Sequence, residues 1–230
     1  KGVLGVLIAC AAAGIIIGVV TKTGVGLKLA SALIDLSGGM LFPTMFFTMI
    51  TALILGMGVP TTANYVITAT IAAPALVKLG VPVLAAHMFV FYFGIIADIT
   101  PPVALAAYAG AGISGGNPLM TGVNASKLAI AAFIIPYIFV VSPVLLMIQA
   151  TPVEMVMATV TAVLGMIGLS SSMIGYLADH CNVPVRVLLF VAGLLMIVPG
   201  SITDGIGIVI FGSILFWQMR LKKKKAAIAG

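Results

Sequence analysis

Gly56-Met57-Gly58-Val59-Pro60-Thr61-Thr62-Ala63-Asn64 interrupts one long apolar stretch, and Ala97-Asp98-Ile99-Thr100-Pro101-Pro102 interrupts the next. No formal charge lies between Asp35 and Lys78, and only Asp98 carries one between Lys78 and Lys127. Backbone broken at membrane depth leaves N–H and C=O groups that lipid cannot satisfy, so such breaks survive only where they face protein, water or a ligand. Half-helix ends near the midplane are how many secondary transporters hold substrate and coupling ions.

Composition sets the class. Of 230 residues, 62% are hydrophobic and only 7% charged, against about 25% charged in a soluble domain. Mean hydropathy is +1.32. Runs of about 20 apolar residues, enough to span a bilayer, recur along the chain. An all-α polytopic membrane protein is expected. The 26 glycines fit helices that pack closely through small residues. Net charge is +6, but Arg220 and Lys222 to Lys225 form one cluster after the last apolar run. That cluster reads as a cytoplasmic anchor rather than a nucleic-acid patch. Cys10 and Cys181 offer neither a disulfide framework nor metal spacing. The chain starts at Lys1 and turns apolar at once without a cleavage site, so it reads as the C-terminal piece of a longer protein.

The segments follow. Gly2 to Thr21 is a span, and Lys22 to Ser37 an interfacial, partly helical connector. Residues 38–79 are too long for one straight crossing. They fold back or cross twice, with arms at about Met40 to Leu55 and Pro60 to Val77. Residues 83–113 make one broken crossing, interrupted from Asp98 to Pro102. Ser114 to Ser126, rich in Gly, Asn, Ser and Pro, reads as a loop. Lys127 to Gln149 and Glu154 to Leu177 span, Ala178 to Pro184 is a polar loop, and Arg186 to Val198 and Ile202 to Met219 are shorter apolar runs around Pro199-Gly200-Ser201.

Charge tests the topology. With the Lys222 tail inside, Arg186 and Lys127 fall inside and Glu154 outside. Lys1 then lies inside, and Lys22, Lys28 and Lys78 outside, against the positive-inside trend. A re-entrant hairpin and a double crossing over 38–79 give the same count, so only the chemistry of the break favours the hairpin.

Thr61, Thr62, Asn64 and Thr100 place neutral oxygens beside carbonyls expected to be freed at Gly56, Gly58, Ala97 and Ile99. Hard cations such as Na+ favour oxygens of this kind. N–H groups at the helix starts just after Pro60 and Pro102 favour an anion. The blander alternative is plain loop turns or packing kinks. Asp98 reads as ion ligand, proton carrier, or cap of the following half-helix. His87 reads as a satisfied structural histidine before a proton relay. The Ser170-Ser171-Ser172 run can bond back to helix carbonyls. Asp179, His180 and Cys181 are too few for a metal site. Catalysis is not expected: Asp98 has no intramembrane carboxylate partner for an aspartyl protease, and there is no His-Glu-x-x-His or phosphate loop.

The stretch Gly56 to Tyr65, followed by Ala97-Asp98-Ile99-Thr100-Pro101-Pro102-Val103-Ala104-Leu105-Ala106-Ala107-Tyr108, resembles the large membrane subunit of tripartite ATP-independent periplasmic (TRAP) transporters, most of all the fused permeases that work with TAXI-type binding proteins. The resemblance covers about Gly2 to Leu146. It implies an elevator-type transporter with two inverted repeats, each holding a re-entrant helical hairpin and a discontinuous helix. Residues 1–149 would be the second repeat, with its hairpin at 38–79 and broken helix at 83–113. Residues 150–230 would be additional C-terminal transmembrane helices. A sodium site would use Gly56, Gly58, Thr61, Thr62, Ala97, Asp98 and Thr100, largely through backbone carbonyls. Pro60, Thr61, Asn64, Pro101 and Pro102 would wall the site of a small carboxylate.

The implied partners are a periplasmic solute-binding protein, the N-terminal half and the small membrane subunit or its fused equivalent, in the inner membrane. No cofactor is expected beyond Na+. The first repeat is absent, so this chain alone should not transport. The competing expectations are a non-transporting scaffold subunit, a channel, and a proton-coupled transporter using Asp98 or His87.

Overall fold

A computed structural model describes residues 2–148, 150–198 and 200–229, with side chains except at 2–6, 9, 10 and 222–229. Lys1, Gln149 and Pro199, and the side chains of Cys10 and Lys222 to Lys225, lie outside the described residues. The structure is 82% helical and, among the described residues, has no strand beyond the isolated bridge between Tyr176 and His180. It is an all-α polytopic membrane protein. Among the described residues two helices are each long and apolar enough to cross a bilayer, and two bent pairs raise that number to four if each is one span. The chain forms two compact units, residues 1–126 and 127–230. That division is by compactness and is separate from the repeat boundary expected at 149.

The first unit opens with α1 (Gly2–Thr23) and α2 (Val25–Leu36), bent by 71° at Gly24, which takes the left-handed conformation. α2 turns Gly26, Ala30 and Leu33 inward, and its Ser31 hydroxyl accepts from Lys78 Nζ at 2.9 Å. α3 (Leu41–Gly56) and α4 (Thr61–Ile71) flank the first break. The second arm is not one helix as expected. It divides at Ala72 and resumes as α5 (Ala73–Lys78). Pro74 has no N–H for the Thr70 carbonyl and its ring crowds the preceding turn, so the helix restarts there.

α6 (Val83–Ile96) runs into a short 3-10 turn, Ala97–Ile99, and α7 (Leu105–Ser114) follows the second break. α7 starts two residues later than the expected Val103. Pro101 and Pro102 bring no donors, and a residue before proline is pushed out of the helical region. Ala104 then takes a left-handed conformation, φ 39°, before the helix begins.

The expected loop from Ser114 to Ser126 is largely helix: α8 spans Pro118–Leu128. Its polar residues are helix punctuation. Gly115 closes α7 in the left-handed region. Asn117 Oδ1 accepts from the Met120 N–H at 3.0 Å, and Pro118 needs no partner for a missing donor.

In the second unit the expected span 127–149 is shorter. α9 covers Ile130–Val141, ends at the extended Ser142, and a 3-10 turn, Pro143–Leu146, follows. α10 (Pro152–Ile174) begins with a capping box between Thr151 and Glu154. α11 (Val183–Ile197) and α12 (Ser201–Ala229) complete the unit. α10 and α11 approach backbone to backbone, because a Cβ on Gly165 would lie 2.7 Å from the Gly193 carbonyl and the reverse holds at the same distance. Small residues give membrane helices such close packing. Arg186 closes α10, its Nε donating to the Ser172 carbonyl at 2.7 Å and Nη2 to that of Met173 at 3.0 Å. Ser172 Oγ answers across to the Arg186 carbonyl at 2.7 Å, instead of bonding back along its own helix. Gln218, buried on α12, accepts from the Ala178 and Asp179 N–H groups and so pins the expected polar loop.

Candidate functional site

The two breaks, forty residues apart, meet in the first unit. Gly58, Val59 and Pro60 of one and Asp98, Leu105 and Ala106 beside the other line a shallow open depression of about 380 Å³. Gly58 forms the tip of the first break with φ 74°, where a side chain is strained, and a Cβ there would lie 4.0 Å from Leu105 Cδ1.

What brings them together is a contact beneath the tips. Asn64, 1% exposed on α4, donates from Nδ2 to the Gly94 carbonyl of α6 at 2.7 Å and, more weakly, to the Gly56 carbonyl of α3 at 3.5 Å. A Cβ on Gly94 would sit 2.5 Å from Asn64 Oδ1, and one on Gly56 would sit 2.5 Å from the Gly94 carbonyl. Three helix ends therefore cross with no room for a side chain at either glycine. Gly94 went unnoticed in the sequence. Its only signal is a glycine in an otherwise bulky helical run, Phe91 to Ile96.

The helix starts are open. α4 and α7 have no side-chain cap, and their first backbone bonds to a preceding carbonyl come from Asn64 and Tyr108. The N–H groups of Thr61 to Ala63 and of Leu105 to Ala107 thus have no recorded protein acceptor among the described residues. Thr61 and Thr62 are exposed, and among the described residues their hydroxyls make no hydrogen bond. Pro60 and Pro102 are exposed and Pro101 is half-buried.

Most of the carbonyls expected to be freed are engaged. The Gly56 carbonyl accepts from Val59 N–H at 3.4 Å as well as from Asn64, that of Ala97 from Thr100 N–H at 3.3 Å, and that of Ile99 from Ser126 Oγ at 3.1 Å. The Gly58 carbonyl has no partner among the described residues. Thr100 Oγ1 donates to the Ile96 carbonyl at 2.7 Å, which leaves its lone pairs available. Ser126 was missed because α8 was read as a loop. It braces the second break, as does Gly122, where a Cβ would meet Pro101 at 3.1 Å. Tyr108 OH adds a bond to the Pro102 carbonyl at 2.8 Å, and the Pro101–Pro102 peptide is cis.

Asp98 is half-buried, and its carboxyl has no hydrogen bond or ion pair among the described residues. It does not cap α7, whose start lies at Ala104. His87 bonds Tyr65 OH through Nδ1 at 3.0 Å. It lies eleven residues before Asp98, roughly 16 Å of helix rise away, and does not line the depression.

No Gly-x-Ser-x-Gly nucleophile motif was expected, but that spacing occurs at Gly112 to Gly116. Its Ser114 ends α7 with its hydroxyl on the Ala111 carbonyl, not on the strand-to-helix elbow of a hydrolase. No cluster of three or more His, Cys, Asp or Glu residues with metal-binding arrangement occurs among the described residues.

An apolar helical chain whose paired breaks converge on open helix starts has the makings of a secondary transporter component. The family model for the tripartite ATP-independent periplasmic transporter DctM component matches residues 1–155, and the chain belongs to that family. It is accordingly a multi-pass inner-membrane component of a TRAP transporter. No curated protein and no solved structure matches.

Proposed function

We propose that the chain is the C-terminal part of a TAXI-type TRAP permease that couples carboxylate uptake to sodium. Both breaks lie within residues 1–149, read as the second inverted repeat of an elevator-type carrier, and residues 150–230 are the appended helices. One observation carries the reading: the tip at Gly58 to Pro60 and the break at Asp98 open onto the same depression.

Sodium is held at the junction by the Gly58 carbonyl, the Asp98 carboxylate and the Thr61, Thr62 and Thr100 hydroxyls, oxygen donors of the type hard cations take. The substrate carboxylate lies on the N–H groups that begin α4 and α7, where the helix dipoles favour an anion. Pro60, Pro101 and Pro102 shape the wall. Asn64, Gly56 and Ala97 hold the geometry from beneath. Negative substrate and positive ion neutralise one another at the same junction, which gives a physical basis for coupling. A periplasmic solute-binding protein delivers the substrate, the N-terminal half completes the site, and the C-terminus is cytoplasmic.

The test is uptake into proteoliposomes holding this chain with its N-terminal half, small subunit and binding protein. Uptake that requires an inward sodium gradient supports the reading. Uptake that ignores sodium and follows protons overturns sodium coupling and moves the role to Asp98, whose unpartnered carboxyl is the observation favouring that second reading.

A further inference from the structure

The second unit holds a cavity that the transport site does not use. It measures about 480 Å³ and lies at the starts of α10 and α12, lined among others by Glu154, Met157, Asp204, Gly205 and Ile208. Asp204 is only 9% exposed. Its Oδ2 accepts a long bond from the Gly200 N–H at 3.5 Å, and its Oδ1 is buried with no hydrogen-bond partner among the described residues. Thr161 lies beside the carboxyl, but its hydroxyl also faces the Met157 and Ala158 carbonyls at 3.0 and 3.3 Å, so its single proton is contested. A helix start accounts for an acid at this position. It does not account for a carboxylate oxygen buried with no donor committed to it, which is costly.

Among the described residues no Lys, Arg or His lines the cavity, and Glu154 adds a second acid to its wall. The remaining wall is largely aliphatic, with Val144, Val153, Met157 and Ile208. The volume is far larger than a bare ion needs and lies within the roughly 300–1,000 Å³ of small-molecule pockets. Asp204 stands in the first turn of a helix long and apolar enough to cross a bilayer, and the ends of such helices fall near the headgroup region.

We propose that this cavity binds a primary ammonium group carried on an apolar body, with Asp204 as its counter-ion. The ammonium pairs with the Asp204 carboxylate, and the apolar body packs on Val144, Val153, Met157 and Ile208. Two sources share that chemistry, a free alkylamine and the headgroup of an aminophospholipid.

The experiment measures binding to the full chain, purified and in lipid nanodiscs. Hexylammonium chloride is titrated against hexanol, and native mass spectrometry compares retention of phosphatidylethanolamine with phosphatidylcholine. Hexylammonium is expected to bind and hexanol not. Asp204→Asn, which keeps an acceptor for Gly200, is expected to weaken binding by about tenfold or more, the scale of one lost charged hydrogen bond. Gly205→Leu serves as the second variant: a Cβ there meets nothing within 4 Å beyond its chain neighbours, so a larger side chain has room to occupy the cavity wall while the Asp204 carboxyl is kept. It is expected to weaken binding as well. Retention of phosphatidylethanolamine over phosphatidylcholine assigns the site to lipid, and binding of hexylammonium alone assigns it to a free amine. Equal binding of hexanol, unchanged binding in Asp204→Asn, or no amine binding to the unsubstituted protein overturns the proposal.

Discussion

Asn64 Nδ2 lies 2.7 Å from the Gly94 carbonyl and ties the start of α4 to the end of α6. The bond joins residues thirty positions apart and sits directly beneath both breaks. Asn64→Leu strands the Gly94 carbonyl, a loss of about 1–3 kcal/mol for a buried polar group without its partner. Gly94→Ala drives a methyl group into Asn64 Oδ1, with an overpacking cost of about 1–3 kcal/mol. Thermal denaturation in detergent should show both variants destabilised. A Gly94→Ala protein as stable as the parent would sink this account of the crossing.

Thr62→Ala leaves the fold intact, because the Thr62 side chain is exposed and makes no hydrogen bond among the described residues. Under the sodium reading it raises the sodium concentration needed for half-maximal uptake. Thr100→Ala does the same and also removes the bond to Ile96. Sodium dependence unchanged in both variants would remove the hydroxyls from the ion site.

Asp98→Asn removes the one formal charge at the junction. Uptake at fixed substrate should then need about tenfold more sodium, equivalent to about 1.4 kcal/mol of lost attraction. His87→Gln, by contrast, should leave the ion dependence of uptake unaltered, since His87 is bonded to Tyr65 away from the depression. A proton-driven carrier reverses the pattern: Asp98→Asn abolishes its response to a pH gradient and leaves sodium irrelevant.

Arg186→Leu leaves the Ser172 and Met173 carbonyls at the end of α10 without their donors. The expected loss is about 1–3 kcal/mol, read as a lower unfolding midpoint, with uptake per folded molecule preserved. Gly193→Val is expected to be more severe, because its side chain would enter the Gly165 backbone. Cysteine labelling at Lys225 checks the orientation: protection from an impermeant reagent added outside intact cells is expected.

Helix positions were largely legible because apolar runs and prolines punctuate them. The two breaks fell where the proline-threonine patterns put them, within a residue or two. α8 was illegible for an identifiable reason. Asn117, Pro118 and Gly115 serve as caps, and the same residue types mark loops. Ala72 was missed because Pro74 acts two residues before itself, within a run of alanines. At the site, residue chemistry was readable but partnership was not. Hydroxyls and prolines announce themselves, whereas the engagement of the Ile99 carbonyl by Ser126 depends on α8 returning over the break. Gly94 was silent because close helix crossing is a property of two segments at once.

Pro101 and Pro102 carry no N–H, so α6 and α7 cannot share an unbroken set of helical backbone bonds across the break. The opening beside Asp98 is therefore written into the covalent chain itself, not into any bound solute.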